Sequence, residues 1–138
     1  MPPKPALDVL IIGGGMITYD LILPSVYHLQ RLGAVARIRV CAQSSARIRA
    51  LKEGADLQAA FPGQDFEAYP DPMAPESERQ PDLYRKLLAD ARPRQAVIIA
   101  TPDQLHFEMV MEALRCDQHV LCVKPLVLQH QQAVAIER

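Results

Sequence analysis

Cysteine is scarce in this chain. Its 138 residues hold three, Cys41, Cys116 and Cys122, an odd number with no CxxC pair. That spacing offers neither a disulfide framework nor a zinc site. Cys41 and Cys122 lie in apolar, strand-like runs, where a cysteine is by default a buried, reduced thiol. An excess of either charge is also missing: 15 Lys and Arg stand against 16 Asp and Glu, a net charge of −1. There is no electrostatic case for nucleic acid or an anionic membrane as partner. No apolar run is long enough to span a bilayer. Lys4 and the mostly apolar stretch 6–12 resemble the start of a signal peptide. The stretch is short, however, and runs into glycines and a helical pattern where a cleavage site would stand. A cytoplasmic location is expected. Internal repeats and low-complexity tracts are absent. Asp65, Glu67, Asp71, Glu76 and Glu78 cluster in a proline-rich stretch and read as solvated, not as a metal site. His28, His119 and His130 show no ligand spacing.

What is present is a chain of 49% apolar residues, too apolar for disorder and long enough for one domain with a real core. Its most informative segment is Val9-Leu10-Ile11-Ile12-Gly13-Gly14-Gly15-Met16-Ile17-Thr18. An apolar, β-branched run stops at three glycines, and a pattern of helical period follows. The order is strand, tight turn, helix. Gly13 would let the chain turn sharply, and Gly15 would let the backbone approach a pyrophosphate. The helix behind them would aim its first N–H groups, Met16 and Ile17 among them, and its positive dipole end at the phosphates. The third glycine position of such a turn holds Thr18, a branched side chain where helix and strand should pack closely.

Beyond the turn, strand and helix patterns alternate. Residues 7–12 form the first strand. Residues 17–32 are helical, with Ile22, Val26 and Leu29 along one face, Pro24 to kink or restart the helix, and Gly33 to end it. Residues 36–42 alternate as a second strand. Ser44 or Ser45 caps a helix that runs to about 53, and Gly54 stops it. Residues 61–81 are rich in proline and acid and hold a short strand at 66–69, the rest being loop. A helix at 82–91 precedes a continuous apolar strand at 95–100, of the kind buried on both faces of a parallel sheet. Thr101-Pro102-Asp103-Gln104 has the order of a capping box: Thr101 at the N-cap, Pro102 at N1, Gln104 reaching back. The helix behind it shows Phe107, Val110, Met111 and Leu114 on one face. A strand at 119–123 leads into Lys124-Pro125, and a polar helix start occupies 129–138. Alternating elements predict a three-layer α/β/α fold, a Rossmann-like, doubly wound parallel sheet with right-handed crossovers. Ligands in such folds bind at the carboxyl ends of the strands. The unusual residues lie there: 13–15, 42–45, 101–106 and 124–125.

Three segments in this order and spacing, Ile12-Gly13-Gly14-Gly15-Met16-Ile17, then Ile99-Ala100-Thr101-Pro102-Asp103-Gln104-Leu105-His106, then His119-Val120-Leu121-Cys122-Val123-Lys124-Pro125, resemble the nucleotide-binding domain of the glucose–fructose oxidoreductase / inositol dehydrogenase / MocA (Gfo/Idh/MocA) family. The likeness covers nearly all of residues 1–138. It implies a Rossmann domain that binds NAD or NADP, and a second α/β domain that binds a sugar, cyclitol or related polyol and makes a homo-oligomer. It implies Lys124 as the catalytic residue, near the nicotinamide and the reacting hydroxyl, with Ala100, Thr101, Pro102, His106 and Pro125 along the cofactor groove. A lysine at a strand's carboxyl end faces the ligand crevice, where partial burial would suit it to proton transfer; on the residues alone, the favoured reading is a lysine at a strand exit that reaches water. By itself His106 reads as an exposed histidine at a helix start.

The chain departs from the family pattern in four ways. Val123 stands where the pattern has glutamate before the lysine, and Thr18 stands at the third glycine. Ala42 ends the second strand where NAD-preferring members carry an acid. With no carboxylate there to repel a 2′-phosphate, and with Ser44, Ser45 and Arg47 following, the cofactor leans to NADP. The competing reading makes Arg47, Arg49 and Lys52 a solvated helix face. The family's closing strand and substrate domain have no counterpart in these 138 residues, so this part alone is expected to be inactive. The functional expectation is an NAD(P)-dependent oxidoreductase acting on a sugar-like alcohol or its ketone. Alternatives are a dinucleotide-binding sensor without catalysis and an NAD-dependent glycoside hydrolase of the same family.

Overall fold

The computed structural model describes residues 2–138. Five parallel strands form one sheet in the order β3-β2-β1-β4-β5. They are β1 (Leu7–Ile12), β2 (Val35–Cys41), β3 (Glu67–Tyr69), β4 (Ala96–Ile99) and β5 (His119–Cys122). β1 lies at the centre, paired with β2 on one side and β4 on the other. The chain therefore winds outward in one direction through β2 and β3, crosses back to β4, and continues to β5. This is the doubly wound order expected from the alternating pattern, with its switch point between β1 and β4.

The apolar run of β1 is buried because both of its faces are covered. Val9 and Ile11 enter one core, with Leu23, Val26, Tyr27, Ile48 and Leu51 from the helices on that side. Leu10 and Ile12 enter the other, with Leu87, Leu88, Met109 and Val110. Complete burial of an aliphatic side chain such as Ile11 contributes about 1.5–3 kcal/mol.

The helix after the glycine turn is not uniform. Its first part, Thr18–Ile22, is π-wound, and the Leu23 N–H bonds to the Thr18 carbonyl. α1 (Leu23–Arg31) then begins with Pro24 in its first turn, where a missing N–H costs nothing. Pro24 thus restarts the helix. Gly33, at φ +80°, follows its end. Leu29, expected on the core face, is 42% exposed. The buried stripe consists of Leu23, Val26 and Tyr27.

α2 (Ser45–Lys52) ends before Gly54, as expected, but a second short helix, α3 (Ala55–Ala60), starts there. Only Leu57 of its six residues is buried, too little for a periodic signal. Gly54 packs against Tyr19: a Cβ there would lie 2.1 Å from the Tyr19 ring, which would have to move.

α4 (Leu83–Asp90) and α5 (His106–Arg115) cover the other face. The buried positions of α5 are His106, Met109, Val110 and Ala113. The expected stripe was Phe107, Val110, Met111 and Leu114, yet Leu114 is 41% exposed. The face is rotated because a histidine, not an apolar residue, occupies its first core position. α6 (His130–Glu137) packs against α5. Among the described residues no helix is long and apolar enough to cross a membrane.

The expected loop 61–81 is heavily tied down. Three of the five carboxylates read as solvated pair with cations: Asp65 with Lys52, Glu67 with Arg37 and Glu76 with Arg49.

Candidate functional site

A groove of about 470 Å³ opens at the carboxyl ends of β1, β2 and β4. Its floor is the glycine turn. Gly13 has φ +126°, and a Cβ on it would lie 2.1 Å from the Ala100 carbonyl oxygen. Only glycine fits there. The Gly13 N–H bonds to the Cys41 carbonyl at 2.8 Å, and the Ala100 N–H bonds to the Ile12 carbonyl at 2.8 Å. The turn is thereby pinned to both neighbouring strands. Gly14 carries a constraint that spacing alone did not reveal: its Cβ would meet the Arg47 Cβ at 2.9 Å and the Ala42 Cβ at 3.0 Å. Gly15 is different again, since nothing lies within 4 Å of a Cβ placed on it. Its backbone borders open groove.

Helical winding begins at Met16, so the first amides beyond Gly15 have no carbonyl one turn back to bond. Tyr19 is the first to reach one, the Gly15 carbonyl at 3.2 Å. Thr18, at the third glycine position, is fully buried and donates its hydroxyl to the Gly13 carbonyl at 2.7 Å. The branched side chain is accommodated by a π-wound turn and by this bond, which braces the turn from inside. Met16 and Ile17 are exposed at the rim and line the groove.

At the end of β2 the groove is lined by Ala42, Gln43, Ser44 and Arg47. Ser44 holds the N-cap position of α2 but makes no capping bond with its side chain. Ser45, grouped with it in the sequence reading, is completely buried and donates to the Ala74 carbonyl at 2.7 Å. It is occupied by the fold. The three cations of α2 separate in the same way. Arg49 bonds to the Pro72 carbonyl and pairs with Glu76, and Lys52 pairs with Asp65. Arg47 alone of the three faces the groove. The solvated-face reading therefore fails for two of them, and neither of those two is free for a ligand.

A further part of the wall comes from residues that motif reading missed: Arg79, Gln80, Pro81 and Tyr84. They stand in and after the proline-rich loop, which carries no periodic signal. Burial, the largest cause, raises the Tyr84 phenol above its usual range. Cys41 also borders the groove, but burial pushes its thiol up to about 12, which keeps it protonated and unreactive.

Ala100, Thr101 and Pro102 form the β4 side of the groove. The expected capping box is not formed. Pro102 is extended, at ψ 144°, and precedes a 3₁₀ turn at Asp103–Leu105, while α5 starts at His106. Thr101 instead directs its hydroxyl at the Met109 sulfur, 3.4 Å away. His106 is not an exposed helix-start residue: it is 0% exposed. Its Nδ1 lies 2.6 Å from the Pro125 carbonyl oxygen and its Nε2 2.8 Å from the Thr101 carbonyl oxygen. His106 thus stands behind the groove wall. Lys124 and Pro125 are exposed at the exit of β5 and are not part of the wall, so the partial burial expected of Lys124 is not found. Among the described residues no group of three or more His, Cys, Asp or Glu could hold a metal ion.

A family model described as "Oxidoreductase family, NAD-binding Rossmann fold" (GFO_IDH_MocA) matches residues 7–138. No curated protein matches the chain in sequence. Solved structures share the fold. Myo-inositol 2-dehydrogenase from Lactobacillus plantarum is 21% identical with a TM-score of 0.62, over 96% of this chain and 32% of that one. KijD10, a 3-ketoreductase from Actinomadura kijaniata solved with NADP, is 24% identical with a TM-score of 0.62, over 96% and 34%. The WlbA dehydrogenase from Bordetella pertussis, solved with NADH and UDP-GlcNAcA, is 16% identical with a TM-score of 0.63, over 97% and 33%. The chain spans about a third of the length of each. With the matched family, the doubly wound sheet and the glycine groove at its switch point, the chain belongs to the Gfo/Idh/MocA oxidoreductases as an NAD-binding Rossmann domain.

Proposed function

We propose that this domain holds NAD or NADP across the glycine turn and serves an oxidoreductase that acts on a sugar, cyclitol or related polyol. One observation carries the cofactor reading. Gly13 is closed against the Ala100 carbonyl, while Gly15 borders empty groove at the start of a helix. A pyrophosphate needs that combination of a forced turn, bare backbone and free amides. The residues present therefore fit the dinucleotide. Gly15, Met16 and Ile17 would receive the pyrophosphate. Ser44 and Arg47 would border the adenosine ribose, and Ala100, Thr101 and Pro102 the nicotinamide half.

Bound nicotinamide accepts or donates hydride; the protein orients it and manages the proton. Lys124 is the residue proposed for that proton, at the hydroxyl oxygen of the substrate. His106 and Pro125 hold the backbone that carries it. The substrate class is supported by the names of the similar structures, an inositol dehydrogenase, a ketoreductase and a dehydrogenase with a nucleotide sugar. Since the chain spans a third of their length, substrate contacts and the homo-oligomer interface are proposed to lie in a second domain outside residues 1–138. Calorimetric titration with NADH and NADPH tests the cofactor reading: saturable binding supports it, and heats no larger than dilution count against it.

A second reading, a dinucleotide sensor without catalysis, is favoured by two features. Val123 stands where the family pattern has glutamate, and Lys124 lies exposed outside the groove wall. Lys124→Ala in an active full-length protein separates the two readings.

A further inference from the structure

We propose that Arg79 is a cofactor-specificity residue, which together with Arg47 holds the 2′-phosphate of NADP. The proposal rests on the dinucleotide reading above and adds a residue and a phosphate to it.

Among the described residues the groove wall contains no carboxylate, and its only charged side chains are Arg47 and Arg79. The two come from different parts of the chain, α2 and the segment between β3 and α4. Both are exposed, and among the described residues neither has an acidic partner. Their neighbours show that this is selective. Arg49, two residues from Arg47, is spent on Glu76 and the Pro72 carbonyl. Glu76, three residues before Arg79, is thereby engaged by Arg49.

Arg79 is also held in place. Ser45 bonds to the Ala74 carbonyl at 2.7 Å, and Arg49 to the Pro72 carbonyl at 2.7 Å. The Gln80 N–H bonds to the Gln43 carbonyl at 3.0 Å. The segment is thus stitched to the β2–α2 junction on both sides of Arg79. The last stitch is one residue from Arg79 and joins it to the same junction that carries Arg47.

Two guanidinium groups without acidic partners, bordering one groove, favour an anion bound there. The pyrophosphate is received elsewhere, at Gly15 and the start of the first helix. What remains at the end of β2 is the adenosine ribose. There Ala42 supplies no carboxylate for a ribose diol and none to repel a phosphate. A phosphate monoester carries close to two negative charges at neutral pH and takes bidentate bonds from arginine.

The test is titration of this chain, its Arg79→Ala variant and its Arg47→Ala variant with NADPH and with NADH. Among the described residues Arg79 makes no side-chain bond, so the variant should keep the parent Tm. NADPH should bind the parent at least about tenfold more tightly than NADH. Arg79→Ala should weaken NADPH by about tenfold or more and move NADH less than about twofold. Arg47→Ala should move NADPH in the same direction. Equal loss of both cofactors would make Arg79 an adenine-stacking residue and overturn the proposal. An unchanged NADPH affinity, or a preference for NADH, would also overturn it while leaving the dinucleotide site standing. Binding of neither cofactor by the parent would remove both readings together.

Discussion

The imidazole of His106 joins two strand ends: Nδ1 lies 2.6 Å from the carbonyl oxygen of Pro125, and Nε2 lies 2.8 Å from that of Thr101. One ring thereby ties the residue after Lys124 to the wall of the groove. Both partners are acceptors, so a neutral ring donates to one of them and a doubly protonated ring to both. Replacement by leucine keeps most of the volume but leaves both carbonyls without the ring. His106→Leu should cost about 2 kcal/mol, read as a lower urea midpoint with an unchanged slope. A midpoint equal to the parent's would mean that the ring braces nothing.

Thr18→Val removes the hydroxyl that bonds to the Gly13 carbonyl and keeps the shape of the side chain. The loss should be about 1–2 kcal/mol, seen as a Tm lower by several degrees. Cofactor affinity should also fall if the bond braces the turn. An unaffected Tm would show that the π-wound turn holds the glycine loop without this bond.

The Arg37–Glu67 pair joins the edge strand β3 to β2. Its hydrogen bond with Arg37 holds the Glu67 carboxyl below its usual range. A lowered folded-state pKa contributes stability above the ordinary glutamate value and loses it as pH falls. Glu67→Gln should therefore lower Tm at pH 7, and the gap to the parent should begin to narrow as the pH falls below the ordinary glutamate range. The pair is nearly half exposed on both sides, 47% and 45%, so the effect is discounted to about 0.5 kcal/mol. A gap that does not narrow as the pH falls would assign it to lost packing.

Lys124 is exposed and stands outside the groove wall. In an active full-length protein, Lys124→Ala should lower turnover by about 100-fold or more while changing cofactor affinity less than about twofold. Equal losses in both would assign Lys124 to binding, and no loss of turnover would favour the sensor reading.

Most of the fold was legible because its signals are local. The β1 run, the three glycines and the apolar strand at 95–100 each announce their element without tertiary help. Gly13 was legible as a turn because its spacing demands one. Gly14 was not, since its constraint comes from Arg47 and Ala42, distant in sequence. His106 was read as exposed because a lone histidine shows no mark of the two carbonyls that bury it. Thr101 carries the capping-box order, but its carbonyl is taken by His106 and its hydroxyl by Met109. Arg79 was invisible for a similar reason. It lies in an aperiodic, proline-rich loop, which reaches the groove through bonds from Ser45 and Arg49 to its carbonyls and from the Gln80 N–H to the Gln43 carbonyl.

The dinucleotide site is tested most directly by following the nicotinamide fluorescence of NADPH and NADH during titration with the parent chain and its Gly15→Val variant. A Cβ at Gly15 meets nothing within 4 Å, so the variant should fold and keep the parent Tm. The expected result is saturable binding to the parent and loss of binding in the variant, because the branched side chain fills the space where the pyrophosphate lies against the backbone. Equal affinity in parent and variant, or no saturable binding to the parent, would contradict the assignment of the glycine turn as a pyrophosphate cradle.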